Sequence, residues 1–386
     1  MSEIDLAQLT RMNRDEVARQ MSVCNACRYC EGLCAVFPAM ELRRTFADGD
    51  VDYLSNLCHN CGACYYDCQY APPHEFAINV PVAMAQLRED TYANYAWPAA
   101  ARGLFHRNGL VIALALILAV AVFIGGFVAL ADPGALFASG VEPGAFYRVM
   151  PHNTMVLIFG GAFAFAILSI SISLRAFWRA AGPMPVTLRS LWQAARDAGK
   201  LRYLDGGGMG CVNEDDRPSD ARRRYHHLTF YGFLLCFAST STGTLFHYVL
   251  DWPAPYPWWT PVKVFGVLGG IGLVLGPVGL MLEHRKRADV ISNDMRGLGA
   301  AFLWVLLALG ATGLILTALR STPAMGLLLA LHLGVVFAFF VTMPYGKFVH
   351  GLYRFAALMR HAHEQFAEHG EQPLPPKQPL PRIAAE

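Results

Sequence analysis

The sequence predicts an all-α protein in two parts, a helical, cysteine-rich soluble domain followed by a bundle of six membrane-spanning helices with both termini on the cytoplasmic side. Three observations carry this reading. Eight of the ten cysteines fall between Cys24 and Cys68; hydrophobic residues make up 54% and charged residues 16% of 386; and six long apolar stretches fill the remainder of the chain. So small a polar fraction cannot cover a soluble protein of this size. A net charge of +2 leaves no surface-wide basic excess for phosphates, and no nucleic-acid partner is expected.

Residues 1–100 are polar and mixed, and open with a helix-like stretch whose apolar positions Ile4, Leu6, Leu9, Met12 and Val17 follow helical spacing. They form the expected soluble domain. The N-terminus has neither the basic nor the apolar region of a signal peptide, so this domain is expected in the cytoplasm, where clustered cysteines are metal ligands more often than disulfides. A short amphipathic link leads to a membrane domain spanning 101–353. Its apolar stretches, at about 109–131, 152–174, 227–250, 262–282, 298–319 and 325–349, are each near the roughly 20 residues that cross a bilayer. The segment from Arg175 to Arg224 carries ten Lys or Arg, and the next basic turn has Arg285, Lys286, Arg287 and Arg296. The intervening turns hold Arg148, none in 251–260, and Arg320. This alternation puts the basic turns and both ends inside, at the inner (cytoplasmic) membrane. Trp252, Tyr256, Trp258 and Trp259 suit an interfacial aromatic belt. Residues 354–386 form the expected cytoplasmic tail, Pro-rich from about 371.

The cysteines form two runs, Cys24, Cys27, Cys30, Cys34 and Cys58, Cys61, Cys64, Cys68, each reading C-x2-C-x2-C-x3-C. Three thiolates two residues apart wrap one corner of a cubane, and the fourth reaches the neighbouring cluster. On that pattern Cys24, Cys27, Cys30 and Cys68 hold one [4Fe-4S] cluster, and Cys58, Cys61, Cys64 and Cys34 the other. The competing reading is structural zinc, which usually takes two pairs of ligands rather than two tight sets of four. Ala35 and Gln69 stand where bacterial ferredoxins have proline. The residues between the runs have helical spacing and a capping-type Asp50, similar to the helical two-cluster ferredoxin of heterodisulfide reductase and succinate dehydrogenase iron-sulfur subunits.

Ionisable groups in a membrane are costly and usually functional. The third helix has His226 and His227 at its inner end and His247 at its outer end; the sixth has His332 and His350. These two helices are antiparallel, so each end offers one histidine from each, the bis-histidine pattern of haem b. His332 and His350, 18 residues apart, share a face at 3.6 residues per turn, and His226 and His247 are offset by about 60°. The expected pairs are His226 with His350 and His247 with His332, for one or two haems, with His152 and His284 interfacial. The Gly206–Gly210 run lacks the spacing of a phosphate loop and reads as a loop that docks the cysteine domain onto the membrane domain. Cys211 reads as a free thiol and Cys236 as a buried apolar residue.

The stretches C-Q-Y-A-P-P-H-E-F-A-I-N-V-P (68–81), R-R-R-Y-H-H-L-T-F-Y-G-F-L-L-C-F-A-S-T-S (222–241) and L-H-L-G-V-V-F-A-F-F-V-T-M-P-Y-G-K-F-V-H (331–350) resemble the tricarballylate (citrate) utilisation protein B family. The resemblance implies a membrane electron carrier that reoxidises the reduced flavin of a cytoplasmic FAD-dependent dehydrogenase. Electrons would pass through iron-sulfur clusters and haem b to the membrane quinone. The membrane half is also similar to the gamma subunit of respiratory nitrate reductase, whose last helix carries two haem-ligating histidines at the spacing of His332 and His350. No segment reads as an FAD site or a C–H oxidation site, so the substrate chemistry is expected in the partner. One rival is a heterodisulfide-reductase-like module exchanging electrons between quinol and thiols. Another is a cluster-containing transporter or redox sensor, against which stand the few mid-membrane polar groups and the lack of paired broken helices.

Overall fold

The computed structural model describes residues 6–208, 210–213, 217–286 and 297–369. The Pro-rich stretch from 371 and the basic residues Arg287 and Arg296 lie outside these. Among the described residues the chain is helical throughout, apart from a two-stranded ladder pairing Cys211–Val212 with Pro218–Ser219.

The cysteine domain is built from α1 (Leu6–Cys27), α2 (Val36–Glu41), α3 (Asp48–Leu57), α4 (Ala63–Tyr66) and α5 (Val80–Asn94). Their core holds Val17, Met21, Tyr53, Leu54, Leu57, Met84 and Leu87. The start of α1 departs from its apolar pattern: Leu9 and Met12 are exposed, while Thr10 and Gln20 are buried. Polar contacts set that face, with Asn13 donating to Asp90 at 2.7 Å, Asn94 to Thr10 at 3.1 Å, and Arg14 to Asp52 at 2.6 Å. Asp50 accepts from the Ala47 N–H at 3.3 Å and so caps α3 as its sequence position suggests. Asn79 caps α5, accepting from Val82 N–H, with Pro81 in the first turn where no N–H is needed.

The remaining helices are α6 (Asn108–Leu130), α7 (Pro133–Leu136), α8 (Ala145–Val149), α9 (His152–Ala180), α10 (Leu188–Gly199), α11 (Ala221–Val249), α12 (Pro261–Arg285), α13 (Leu298–Leu319), α14 (Met325–Thr342) and α15 (Val349–His369). Five segments are long and apolar enough to cross a membrane: α6, α9, α12, α13, and α14 with the 3-10 turn after it. Their outer faces leave large side chains bare, Ile117 and Leu118 at 66% exposure, which water would not tolerate over such an area. The third stretch read as a span, α11, is a continuous helix of 29 residues but is not among the five. Arg222, Arg223 and Arg224 at its start and the hydroxyl run from Ser239 to Thr244 lower its hydropathy. The hydroxyls satisfy themselves locally, Thr240 donating to Cys236 O, Thr244 to Thr240 O, and Ser239 to Val262 O of α12. Helices α11 and α12 approach along small residues. A Cβ on Gly232 would fall 2.9 Å from the Gly272 backbone, so only glycine fits there.

Helix α14 stops at the 3-10 turn Met343–Tyr345, where Pro344 and the extended Gly346 break the ladder, and α15 starts afresh. Residues 354–369, which the sequence assigns to a tail, continue α15 and pack on the cysteine domain. The Glu364 carboxylate takes Arg43 at 2.5 Å, the Tyr53 hydroxyl at 3.0 Å and Arg360 at 2.9 Å. The starts of α11 and α15 both meet this domain, and Gly49 of α3 abuts Ala180 at the end of α9. In the 251–260 turn the rings divide. Trp258 and Trp259 are exposed, whereas Tyr256 is buried with its hydroxyl on Gly243 O and Trp252 O.

Candidate metal centres

Two cavities meet in the cysteine domain. The first, about 150 Å³, is lined by Cys24, Cys27, Cys30, Cys64 and Cys68. The second is lined by Cys34, Cys58, Cys61 and Cys64, beside His59 and Tyr203. Cys64 lines both; apart from it, each cavity joins the fourth cysteine of one run to the leading cysteines of the other. Local backbone makes this possible. Cys24 and Cys27 lie one turn apart at the end of α1, which Arg28 terminates at φ 56°. Asn60 at φ 52° and Gly62 at φ 90° curl the second run, and α4 carries Cys64. The glycine loop closes over both runs: a Cβ on Gly207 would meet Leu33 at 3.3 Å and one on Gly206 would meet Ala63 at 3.2 Å.

The thiols surround cavities, an arrangement that accommodates a polynuclear cluster. Burial pushes the Cys24 thiol up to about 12, reinforced by Cys68 and Cys27, and that of Cys61 up to about 11, reinforced by Cys211. Cys30, Cys64 and Cys68 are raised for the same first reason. Crowded, buried thiols become thiolates when cationic iron replaces their protons. The donor set fits two iron-sulfur clusters.

The structure brings together one of the two histidine pairs read from the sequence. The rings of His226 on α11 and His350 on α15 lie near-perpendicular, with centroids 6.2 Å apart. His350 Nδ1 lies 2.5 Å from Lys347 O, so it carries the proton and leaves Nε2 as a free donor atom; His226 Nδ1 is buried without a partner. That is the state in which imidazoles ligate a metal, and the pair fits bis-histidine ligation of a haem. The outer histidines are not brought together. His247 stacks on His152 at 3.9 Å, beside Tyr147 and Tyr248, while His332 Nδ1 lies 2.9 Å from the Thr312 hydroxyl. A shared face for His332 and His350 requires one continuous helix, and the break at Pro344 and Gly346 divides them between α14 and α15. Phe163, Phe233, Phe237, Phe339, Phe340 and Phe348 form a linked set of rings, with Phe233 in contact with both Phe339 and Phe348.

Other residues complete the site. Arg88 and Arg354 both donate to Cys58 O, at 2.5 and 2.6 Å, and Arg222 donates to Asn60 O at 2.6 Å. Cys211 is buried with Leu201 and Leu204, against Cys61. His59 Nδ1 lies 3.0 Å from Leu57 O, near the Tyr203 ring. The contacts of Arg222 and Arg354 cross more than a hundred residues and leave no local pattern to read.

The fold and site define a class: an all-helical protein with apolar helices of membrane-crossing length and an N-terminal domain built around two four-cysteine sets. Family models narrow it, one described as "Citrate utilization protein B" matching residues 103–371 and one described as "Citrate utilization protein B Fer4-like domain" matching residues 17–94. The chain is 48% identical over 352 residues to the Escherichia coli protein named citrate utilization protein B, covering 91% of this chain and 92% of that one. The chain belongs to the citrate utilization protein B family. No solved structure matches it.

Proposed function

We propose that this chain is a membrane electron-transfer protein of citrate or tricarballylate utilisation. It accepts electrons from the reduced flavin of a cytoplasmic FAD-dependent dehydrogenase and delivers them to membrane quinone. The observation that carries this reading is the continuity of the sites: the second cysteine cavity opens beside the Cys58–Asn60 loop, whose carbonyls are held by Arg222 and Arg354 from the helices that bear His226 and His350. The clusters and haem b, when bound, supply one-electron steps between a two-electron flavin and quinone. The protein's part is to hold them. Cys24, Cys27, Cys30 and Cys68 hold the first cluster, Cys34, Cys58, Cys61 and Cys64 the second, and His226 and His350 a single haem b. Helix α11 completes six spans, with the cysteine domain and both termini on the cytoplasmic face of the inner membrane. In support, the basic start of α11, the end of α9 and the start of α15 meet the cysteine domain. Reduced-minus-oxidised spectra of the purified protein test the reading: a low-spin b-type band together with cluster signals is expected, and a protein with neither contradicts it.

One observation favours the thiol–quinol alternative, the ninth cysteine, Cys211, set against Cys61 beside the second cavity. If a disulfide substrate oxidises the reduced protein and a flavoprotein does not reduce it, that alternative stands.

A further inference from the structure

Between the second cysteine cavity and the His226–His350 pair lies a group of cations that neither the thiols nor the imidazoles require. Arg222 stands four residues before His226 on α11 and Arg354 four residues after His350 on α15, so each shares a helix face with an imidazole. Both are half-buried. Arg222 Nη1 donates to Asn60 O at 2.6 Å; Arg354 donates through Nη2 to Cys58 O at 2.6 Å and through Nε to Asn56 O at 3.4 Å. Arg88, buried, adds its guanidinium to Cys58 O at 2.5 Å. Lys347, whose carbonyl lies on His350 Nδ1, acts on the same group, with Glu89 as the carboxylate near it.

A main-chain carbonyl positions a guanidinium but does not neutralise it. Each guanidinium has five N–H donors, and the carbonyl contacts of Arg222 and Arg354 occupy a minority of them. Cations crowded in a partly buried site are stable when an anion shares it. A carboxylate suits a guanidinium fork in both charge and geometry.

We propose that Arg222 and Arg354, flanked by Lys347 and Arg88, form an anion site for the two propionate carboxylates of haem b, on the side of His226 and His350 that faces the Cys58 loop. This rests on the haem reading above. It assigns the cations to recognition of haem rather than to compensation of the charge on the second cluster, and it sets the carboxylate edge of the haem toward the electron-donating side.

The test uses the full-length protein in detergent, produced in haem-deficient cells and titrated separately with protohaem and with its dimethyl ester, whose carboxylates carry no charge. Wild type is expected to bind the free acid at least about tenfold more tightly than the ester, as charge-assisted hydrogen bonds imply. In the Arg222→Gln, Arg354→Gln double variant that preference should fall to within about twofold, with non-haem iron and acid-labile sulfide unchanged. Equal binding of acid and ester by wild type overturns the proposal, and so does a double variant that loses one cluster's iron and sulfide while keeping its preference. If the double variant does not accumulate, the wild-type comparison decides alone. If wild type binds neither compound with a low-spin bis-histidine spectrum, the haem reading itself has failed and takes this proposal with it.

Discussion

At the scale of single residues the account depends on eight thiols and two imidazoles. Because Cys61 lines the second cavity and not the first, Cys61→Ser should remove one cluster and leave the haem spectrum intact. Anaerobically purified wild type should hold about eight non-haem iron and eight sulfide, and the variant about half; an unchanged iron content, or stoichiometric zinc without sulfide, would sink the assignment. At the histidines, His226→Ala or His350→Ala should abolish the low-spin b-type signal, whereas His332→Ala and His284→Ala should leave it. Haem analysis should return one haem per chain, and two would mean that the outer histidines also pair. The cysteine sets were legible in the sequence because ligand spacing is local, set by one helical turn and a tight loop. The inner histidine pair was legible because antiparallel helices bring matching ends together. Arg88, Arg222 and Arg354 were not, since their contacts at Cys58 and Asn60 depend on how separate helices dock.

At the scale of elements, α15 ties the membrane bundle to the cysteine domain. It carries His350 at one end and at the other Glu364, whose carboxylate is shared by Arg43, Arg360 and the Tyr53 hydroxyl. Both Arg43 and Glu364 are 9% exposed, so Glu364→Ala leaves Arg43 and Arg360 to share Asp50 alone and should cost on the order of 2 kcal/mol. Thermal unfolding followed by cluster absorbance checks this; an unchanged midpoint would show that α15 is not a tie. The sequence hid this helix because its start reads as the end of an apolar stretch and its remainder as polar, whereas Pro344 and Gly346 divide the two. The converse happened at α11, where an apolar reading overlooked the hydroxyl run that α12 and the helix backbone satisfy. Gly232→Leu should separate α11 from α12, because the new side chain has backbone in its path. Loss of the b-type band with retained iron and sulfide is expected, since His226 lies on the displaced helix; an unperturbed haem spectrum would contradict the close packing.

At the scale of the whole molecule a cysteine-rich helical domain and a bundle of apolar helices stand in one chain. The two cavities share Cys64 along their linings, and the second leads through the Cys58 loop to His350. In the proposed function, electrons entering at the cysteine domain would meet each site in turn. The most direct measurement combines the two halves anaerobically. A tricarballylate- or citrate-type FAD dehydrogenase with its substrate is mixed with membranes containing or lacking this protein, and flavin, haem and quinone are followed together. The account predicts that the dehydrogenase alone turns over once and stalls, and that membranes with the protein restore continuous turnover, with haem reduction preceding quinone reduction. Equal cycling with membranes that lack the protein, or quinone reduction that persists in the Cys61→Ser variant, would contradict it.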